Sequence, residues 1–156
     1  MTNEEIVRLV NKYFYSEKYT FPTHFEHRYD RDSSAILYSL IRNYRPTVCL
    51  GIGTWLGGST CIIMTALQKN NDDFIYIASE LEDDLREKTK NNVYEKCNQI
   101  PILINDITEN LDIIPSNLDF LFIDTNHERK LAEWIVENIF PKLIKNALVA
   151  IHDFAI

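Results

Sequence analysis

Hydrophobic residues along the chain follow two spacings, and each predicts a different kind of element. Short continuous apolar runs, of the kind expected for buried strands, lie at residues 47–50, 74–78, 100–104, 118–123 and 147–151. Segments with helical spacing or helix-favouring composition lie between them, at residues 59–67, 83–94, 108–111 and 131–140. Strands that alternate with helices predict βαβ units, and therefore an α/β fold with a doubly wound, mostly parallel sheet and helices on both faces.

Before the first strand, the pattern predicts two helices. Thr2 and Glu5 form a capping-box pattern at the start of an apolar stripe of helical spacing, which predicts an N-terminal helix. A second helix, capped by Asp32 or Ser33, is predicted to end before the Arg45-Pro46 pair, because the residue before a proline disfavours helical geometry.

The segment between these helices, residues 15–31, has no clear period, and we interpret it as a covering loop. It contains His24 and His27, whose spacing would place both on one side of a helical turn. Because no third ligand candidate is close in the sequence, we interpret them as surface imidazoles rather than metal ligands.

Length and charge indicate one domain with a small-molecule partner. A chain of 156 residues buries one core, so we expect a single domain in which residues 1–44 precede an α/β core at residues 45–156. The net charge is −7 and no predicted helix carries a basic stripe, which argues against nucleic acid or an anionic membrane as partner. No apolar run approaches the roughly 20 residues needed to span a bilayer, and the acidic N-terminus is unlike a signal peptide, so we expect a cytoplasmic location.

The three cysteines give no sign of a metal site or a disulfide framework. Cys49, Cys61 and Cys97 have no CxxC spacing, and the first two fall inside a predicted strand and a predicted helix. We interpret them as small hydrophobic residues.

The first predicted strand leads directly into a glycine-rich segment. Residues 45–60 read RPTVCLGIGTWLGGST, with glycines at positions 51, 53, 57 and 58 before Ser59 opens the next helix. A strand, a tight glycine loop and a helix aim backbone N–H groups at the helix start and let a ligand approach closely. The segment suits a nucleotide-like cofactor, and a plain βα turn is the alternative interpretation.

Polar residues follow every predicted strand. After the glycine loop of the first strand, these are Glu80, Asn105-Asp106, Asp124 to His127, and His152-Asp153. In parallel sheets, ligands bind beyond the carboxyl ends of the strands. One acidic residue in such a place is more often a helix cap, but five polar strand ends in register indicate a single binding site.

These motifs resemble those of the class I S-adenosylmethionine-dependent methyltransferases, in particular the branch that acts on small molecules and includes O-methyltransferases. The matching segments are IGTWLGGST at residues 52–60 and FIDTNH at residues 122–127, supported by residues 79–80, 105–106 and 151–153. The resemblance spans about residues 31–153. It implies a Rossmann-like methyltransferase fold with five strands in the order 3-2-1-4-5.

The resemblance implies how S-adenosylmethionine would be bound. The glycine loop would pack against the methionine part of the cofactor, through Gly51, Gly53, Thr54, Gly57, Gly58 and Ser59. Glu80 would accept hydrogen bonds from both ribose hydroxyls, because a carboxylate offers two acceptor oxygens. Asp106 would hold the adenine amino group, Ile107 would contact the ring, and Asp124 would face the sulfonium or the substrate.

The reaction implied is methyl transfer to a small molecule, at a hydroxyl group. The protein would align the reacting atoms, and His127 or His152 would remove the hydroxyl proton near neutral pH. In relatives that methylate catechol-like hydroxyls, a divalent cation lies at the ends of the fourth and fifth strands, which implies Asp124 and Asp153 as ligands of Mg²⁺. The sequence slightly favours the metal route, because each histidine would serve equally well as a structural hydrogen-bond donor.

Two features depart from the family pattern. The acidic residue that usually opens the glycine motif is Gly51 here, which would weaken or abolish cofactor binding. Relatives continue into a sixth and a seventh strand, whereas this sequence ends at Ile156, and we interpret it as a shortened or a minimal, degenerate member. Without the hairpin that these last two strands form, the fifth strand would be an open edge of the sheet. An open edge favours pairing into a homo-oligomer.

Two other functions fit parts of the pattern. Gly51, Gly53 and Gly57 together with Glu80 also suit the dinucleotide loop of an NAD(P)-binding oxidoreductase domain, although no substrate domain or Tyr-Lys pair is visible after the fourth strand. A non-catalytic methyltransferase-fold module that binds a partner would account for Gly51 and the missing hairpin.

Overall fold

A computed structural model describes residues 1–19, 31–70, 73–125 and 128–152 of the chain. Residues 20–30 of the predicted covering loop, with His24 and His27, lie outside these residues. The helices are α1 (Asn3–Leu9), which continues as a π-helical segment (Val10–Tyr15), α2 (Arg31–Tyr44), α3 (Gly58–Asn70), α4 (Asp83–Tyr94) and α5 (Arg129–Asn138). The strands are β1 (Val48–Ile52), β2 (Ile75–Ser79), β3 (Ile102–Ile104), β4 (Leu118–Ile123) and β5 (Leu143–Ile151).

The five strands form one parallel sheet in the order β3-β2-β1-β4-β5, which confirms the predicted fold. Parallel neighbours need a crossover, and α3, α4 and α5 supply three of the four. Two short 3₁₀ turns, Ile107–Glu109 and Leu111–Ile113, connect β3 to β4, close to the single turn predicted there. Pro101 directly precedes β3, an edge strand, where its missing N–H costs no ladder hydrogen bond.

Both faces of the inner strands are buried, each in its own hydrophobic cluster. On one face Cys49, Phe120 and Phe122 pack with α2 and α3. On the other, Leu50 and Leu121 pack with residues of α5 and of the turns after β3. Alternate residues of each strand therefore serve opposite faces, which is why the inner strands appear in the sequence as continuous apolar runs.

Two of the differences between predicted and observed element boundaries concern α2 and β5. The described part of α2 begins at Arg31, so Asp32 and Ser33 lie inside the helix rather than at its cap. β5 begins at Leu143, four residues before its predicted start, because the β4–β5 register shifts between Leu118 and Phe120. The shift absorbs extra residues of β5, including Asn146 in the left-handed region at φ +67°.

The N-terminal segment is fixed to the core by polar contacts as well as by packing. Thr2 and Glu5 form the predicted capping box, with bonds of 2.6 and 3.2 Å. Further along, the carboxylate of Glu17 accepts a hydrogen bond from the Tyr38 hydroxyl at 2.5 Å and pairs with Arg42 at 2.7 Å. Burial alone would raise the pKa of Glu17, but the hydrogen bonds from Arg42 and Tyr38 hold it below its ordinary value.

Within the described ranges, no helix is both long and apolar enough to cross a membrane.

Candidate functional site

The sheet register brings the polar strand ends into one row. Across the sheet, Ile104, Ser79, Ile52, Ile123 and Ile151 lie opposite one another. The residues that follow them are therefore neighbours at the carboxyl edge, namely Asn105, Glu80, Gly53, Asp124 and His152. Backbone hydrogen bonds of 2.9–3.0 Å extend the ladder by one step at four of these positions.

The glycine loop between β1 and α3 is packed tightly against the protein backbone. Gly53 has φ +86°, and a Cβ there would lie 1.9 Å from the carbonyl oxygen of Asp124. Gly57 has φ +85°, and its Cβ would lie 3.1 Å from the Cα of Thr89. Both positions need glycine for their conformation and for the close approach of another chain segment, so β4 and α4 together fix the path of the loop.

Helix α4 holds the loop through two polar side chains. The Thr89 hydroxyl donates to the carbonyl of Trp55 at 2.9 Å, and its oxygen lies 3.1 Å from the Thr54 hydroxyl. Asn92 donates to the carbonyl of Leu56 at 2.8 Å. The Thr54 side chain is buried in this contact, while its backbone N–H donates to Glu80 and its carbonyl accepts a hydrogen bond from the N–H of Gly57.

Sequence reasoning missed Thr89 and Asn92. They lie three residues apart in a charged helix whose composition indicated an exposed surface. The available signal was their spacing, since polar residues at i and i+3 share one face of a helix.

The carboxylate of Glu80 is tied to the same loop. Its Oε2 accepts hydrogen bonds from the backbone N–H of Trp55 at 2.8 Å and of Thr54 at 3.2 Å. Its Oε1 has one long bond, 3.4 Å, from the N–H of Glu82. Trp55 stands at φ +47°, an unusual conformation for a bulky residue, and these contacts help to hold it there. Glu80 therefore organises the loop with one oxygen and keeps the other largely available.

Asp106 and Ile107 lie just past the edge of β3. Asp106 caps the 3₁₀ turn that follows, because its Oδ1 accepts hydrogen bonds from the N–H and the hydroxyl of Thr108 at 2.8 and 2.7 Å. Ile107 is buried in the cluster that also contains Ile52. The predicted adenine contact thus has a firmly positioned acidic residue, whose Oδ2 takes no part in the cap.

One buried hydroxyl in the first turn of α3 has no hydrogen-bond partner among the described residues. The helix begins at Gly58, and both Ser59 and Thr60 are buried. Among the described residues, Thr60 Oγ1 is a buried side-chain oxygen with no hydrogen bond. An orphaned buried side-chain oxygen is rare, and this one lies in the first turn of the helix that follows the glycine loop.

Asp124 and His152 form a side-chain pair across the ends of β4 and β5. Nδ1 of His152 lies 3.3 Å from Oδ1 of Asp124, and both side chains are partly sheltered. His127 and Asp153, predicted as a base and a metal ligand, lie outside the described residues. Within the described part of the chain, no cluster of three or more His, Cys, Asp or Glu side chains could hold a metal ion.

A small cavity adjoins the His152 end of the row. It has a volume of about 170 Å³ and lies between α2, β4 and β5. Its walls are mostly apolar, and the residues that line it are Ser33, Ile36, Leu37, Leu40, Phe122, Ala150, Ile151 and His152.

Comparison with known proteins points to one family. Residues 50–154 match the model of a family described as a methyltransferase domain. No curated protein sequence matches the chain.

Solved structures with the same fold include three methyltransferases. Methyltransferase PaMTH1 of Podospora anserina, bound to S-adenosylhomocysteine, is 14% identical, with a TM-score of 0.67 over 92% of this chain and 61% of that one. O-methyltransferase TomG of Streptomyces achromogenes, bound to S-adenosylmethionine, is 16% identical, with a TM-score of 0.67 over 97% and 66%. An O-methyltransferase of Bacillus cereus, bound to S-adenosylhomocysteine, is 16% identical, with a TM-score of 0.61 over 88% and 62%. The chain therefore spans between 61% and 66% of the length of these proteins.

Proposed function

The chain belongs to the methyltransferase-domain family whose model its residues 50–154 match, and from this premise we propose that it transfers a methyl group from S-adenosylmethionine to a hydroxyl of a small molecule. The observation that carries the proposal is the row of polar residues at the carboxyl edge, in which Glu80 is bonded directly to the glycine loop. The solved structures bound to S-adenosylmethionine or S-adenosylhomocysteine support the choice of cofactor.

The proposed cofactor site runs along the edge from β1 to β3. The loop from Gly53 to Ser59 would take the methionine part, and Glu80 would meet the ribose through Oε1, because its Oε2 is already used by the loop. Asp106 would receive the adenine amino group at its Oδ2, while Ile107 supports that turn from the core. When bound, S-adenosylmethionine supplies an electrophilic methyl group on its sulfonium.

The proposed catalytic pair is His152 with Asp124. Nδ1 of His152 faces the carboxylate, and we assign to Nε2 the role of accepting the proton of a hydroxyl acceptor. Asp124 would orient the imidazole and stabilise its protonated form, as a carboxylate does beside a catalytic histidine. The cavity beside His152 is the proposed place for the acceptor.

A metal route is the second candidate for activating the hydroxyl. Asp124 and Asp153 would hold Mg²⁺ in that case, and the cation would lower the pKa of the hydroxyl directly. The Asp124–His152 contact favours the histidine route, since it engages an oxygen of Asp124 that a metal would otherwise bind.

One experiment tests the function and separates the two routes. The protein is incubated with S-adenosylmethionine carrying a labelled methyl group and a panel of hydroxyl-bearing small molecules, with Mg²⁺ or with a chelator. We expect a labelled product in both conditions, and much less of it from Asp124→Ala. Transfer that disappears with the chelator would support the metal route, and no transfer to any acceptor under either condition would contradict the proposed activity.

A further inference from the structure

The space beside Gly51 is filled by a tyrosine of the neighbouring strand. In the β1–β2 register Gly51 lies opposite Ala78, and Tyr76 lies two residues earlier on the same face. A Cβ on residue 51 would lie 2.4 Å from the Tyr76 hydroxyl and 3.1 Å from its Cζ. The hydroxyl thus occupies the volume that any side chain at position 51 would need.

The orientation of Tyr76 carries its hydroxyl toward the glycine loop. Tyr76 itself is level with Cys49, yet its hydroxyl reaches Gly51, so the ring runs along the sheet toward the carboxyl edge. The side chain is 3% exposed and packed in the cluster shared with α2 and α3, which fixes the ring. The rigid, buried hydroxyl of Tyr76 therefore lies beside Gly51, two residues before Gly53, at the root of the loop, which is where the glycine loop begins.

We propose that Tyr76 is the positioning residue of this loop and takes over from the side chain missing at position 51. The inference rests on the proposed function. A phenol hydroxyl both donates and accepts a hydrogen bond, so it can serve as the polar group that an acidic side chain would otherwise provide. Gly51 is then one half of a matched pair with Tyr76 and not a defect of the cofactor site.

A hydroxyl in place of a carboxylate removes a negative charge from the cofactor site, and this difference can be measured through ligand binding. S-adenosylmethionine carries a positive sulfonium that S-adenosylhomocysteine lacks. A carboxylate at position 51 would favour the charged ligand through Coulomb attraction, whereas the neutral hydroxyl of Tyr76 gives no such preference. The ratio of the two dissociation constants therefore reports which group stands at the root of the loop.

The test is calorimetric titration of both ligands into the whole chain and three variants. Tyr76→Phe removes the hydroxyl and keeps the ring. Gly51→Glu with Tyr76→Val clears the space and places a carboxylate there. Tyr94→Phe is the matched control, because Tyr94 is an exposed tyrosine of α4. Thermal unfolding of each ligand-free variant shows whether it is folded.

We expect Tyr76→Phe to bind both ligands about fivefold more weakly, the loss of one hydrogen bond, while the Tyr94→Phe control binds like the wild type. The double variant is expected to shift the preference toward S-adenosylmethionine by at least about threefold relative to the wild type. Wild-type affinity in Tyr76→Phe, or an unchanged preference in the double variant, would overturn the inference while leaving the proposed function standing. A wild-type protein that binds neither ligand would overturn the proposed function, and this inference with it.

Discussion

Nδ1 of His152 lies 3.3 Å from Oδ1 of Asp124, so an imidazole and a carboxylate from the ends of adjacent strands are in contact at the edge of the sheet. The pairing follows from the register, because Ile123 and Ile151 lie opposite each other and each is followed by one of the two residues. Asp124 also supports the glycine loop, since its carbonyl oxygen lies against Gly53. The proposed catalytic pair and the proposed cofactor loop are therefore joined at a single residue.

Replacing the imidazole tests the proposed base. His152→Gln keeps a side chain that can donate to Asp124 but cannot accept the proton of an acceptor. We expect turnover to fall about 100-fold or more while S-adenosylhomocysteine affinity stays within about twofold of the wild type, because general-base catalysis is worth that much and binding does not need it. Steady-state kinetics and calorimetry measure the two quantities. Unchanged turnover would remove His152 from the mechanism.

Glu80 is predicted to act in binding rather than in chemistry. Glu80→Gln removes the charge from an acceptor of two loop N–H groups and halves its acceptor oxygens. We expect S-adenosylhomocysteine affinity to fall about tenfold or more, because hydrogen bonds to charged groups are worth about 1.5–3 kcal/mol. The shift of the unfolding midpoint on adding ligand measures this.

Glu82→Gln is the matched control, since Glu82 is an exposed neighbour whose side chain makes no capping bond. If both variants lose the same amount of the ligand-induced shift in unfolding midpoint, the total charge of the protein, and not the position of Glu80, decides binding.

Gly51 and Gly53, at the end of the same strand, are expected to differ in how much a substitution destabilises the fold. At Gly53 an added Cβ meets backbone, 1.9 Å from the Asp124 carbonyl, and the residue has positive φ. At Gly51 it meets a side chain and not backbone, 2.4 Å from the Tyr76 hydroxyl, and Gly51 does not have positive φ. We expect Gly53→Ala to destabilise the fold by about 3 kcal/mol or more, and Gly51→Ala by clearly less. Urea denaturation compares them, and equal costs would contradict the packing described for the loop.

Glu17, near the end of the N-terminal segment, predicts that the free energy of unfolding depends on pH. The pKa of Glu17 lies below its ordinary value of 4.5, so the ionised form is the one stabilised by folding. Its contribution is present above pH 4.5 and is lost as pH falls through the lowered pKa. We expect wild type to exceed Glu17→Gln in stability by about 1–2 kcal/mol near neutral pH, and the difference to shrink in acid.

Glu5→Gln is the control for that series, because Glu5 is an exposed carboxylate of the N-terminal capping box. Chemical denaturation at several pH values gives the free energies. A difference between wild type and Glu17→Gln that does not change between neutral and acidic pH would show that Glu17 contributes through packing and not through its charge.

The sheet and its polar edge were predictable from the sequence because both follow from local patterns. Each inner strand is a continuous apolar run, and parallel strands have their carboxyl ends at one edge. Once the order of strands is known, Glu80, Asp124 and His152 must lie in one row at that edge. The start of β5 was not predictable, since Lys145 and Asn146 interrupt the apolar run and the extra residues are absorbed by a register shift.

Contacts between segments that are distant in the sequence could not be predicted either. Thr89 meets the glycine loop 34 residues away in the sequence, and Glu17 pairs with Arg42 across 25 residues. Such pairs depend on how α2 and α4 pack, and the charged composition of α4 gave no sign that one of its faces is buried. The contact between Tyr76 and Gly51 was hidden for a similar reason, because a buried aromatic residue in a strand suggests only core packing.

The central claim is that the carboxyl edge of the sheet binds an adenosyl cofactor through the glycine loop and Glu80. Its most direct test is calorimetric titration of wild-type protein with S-adenosylhomocysteine, with NAD and NADP as comparison ligands. The account predicts saturable one-to-one binding of S-adenosylhomocysteine, weakened by Glu80→Gln, and no heat from either dinucleotide. Binding of a dinucleotide in its place, or silence from all three ligands, would contradict it.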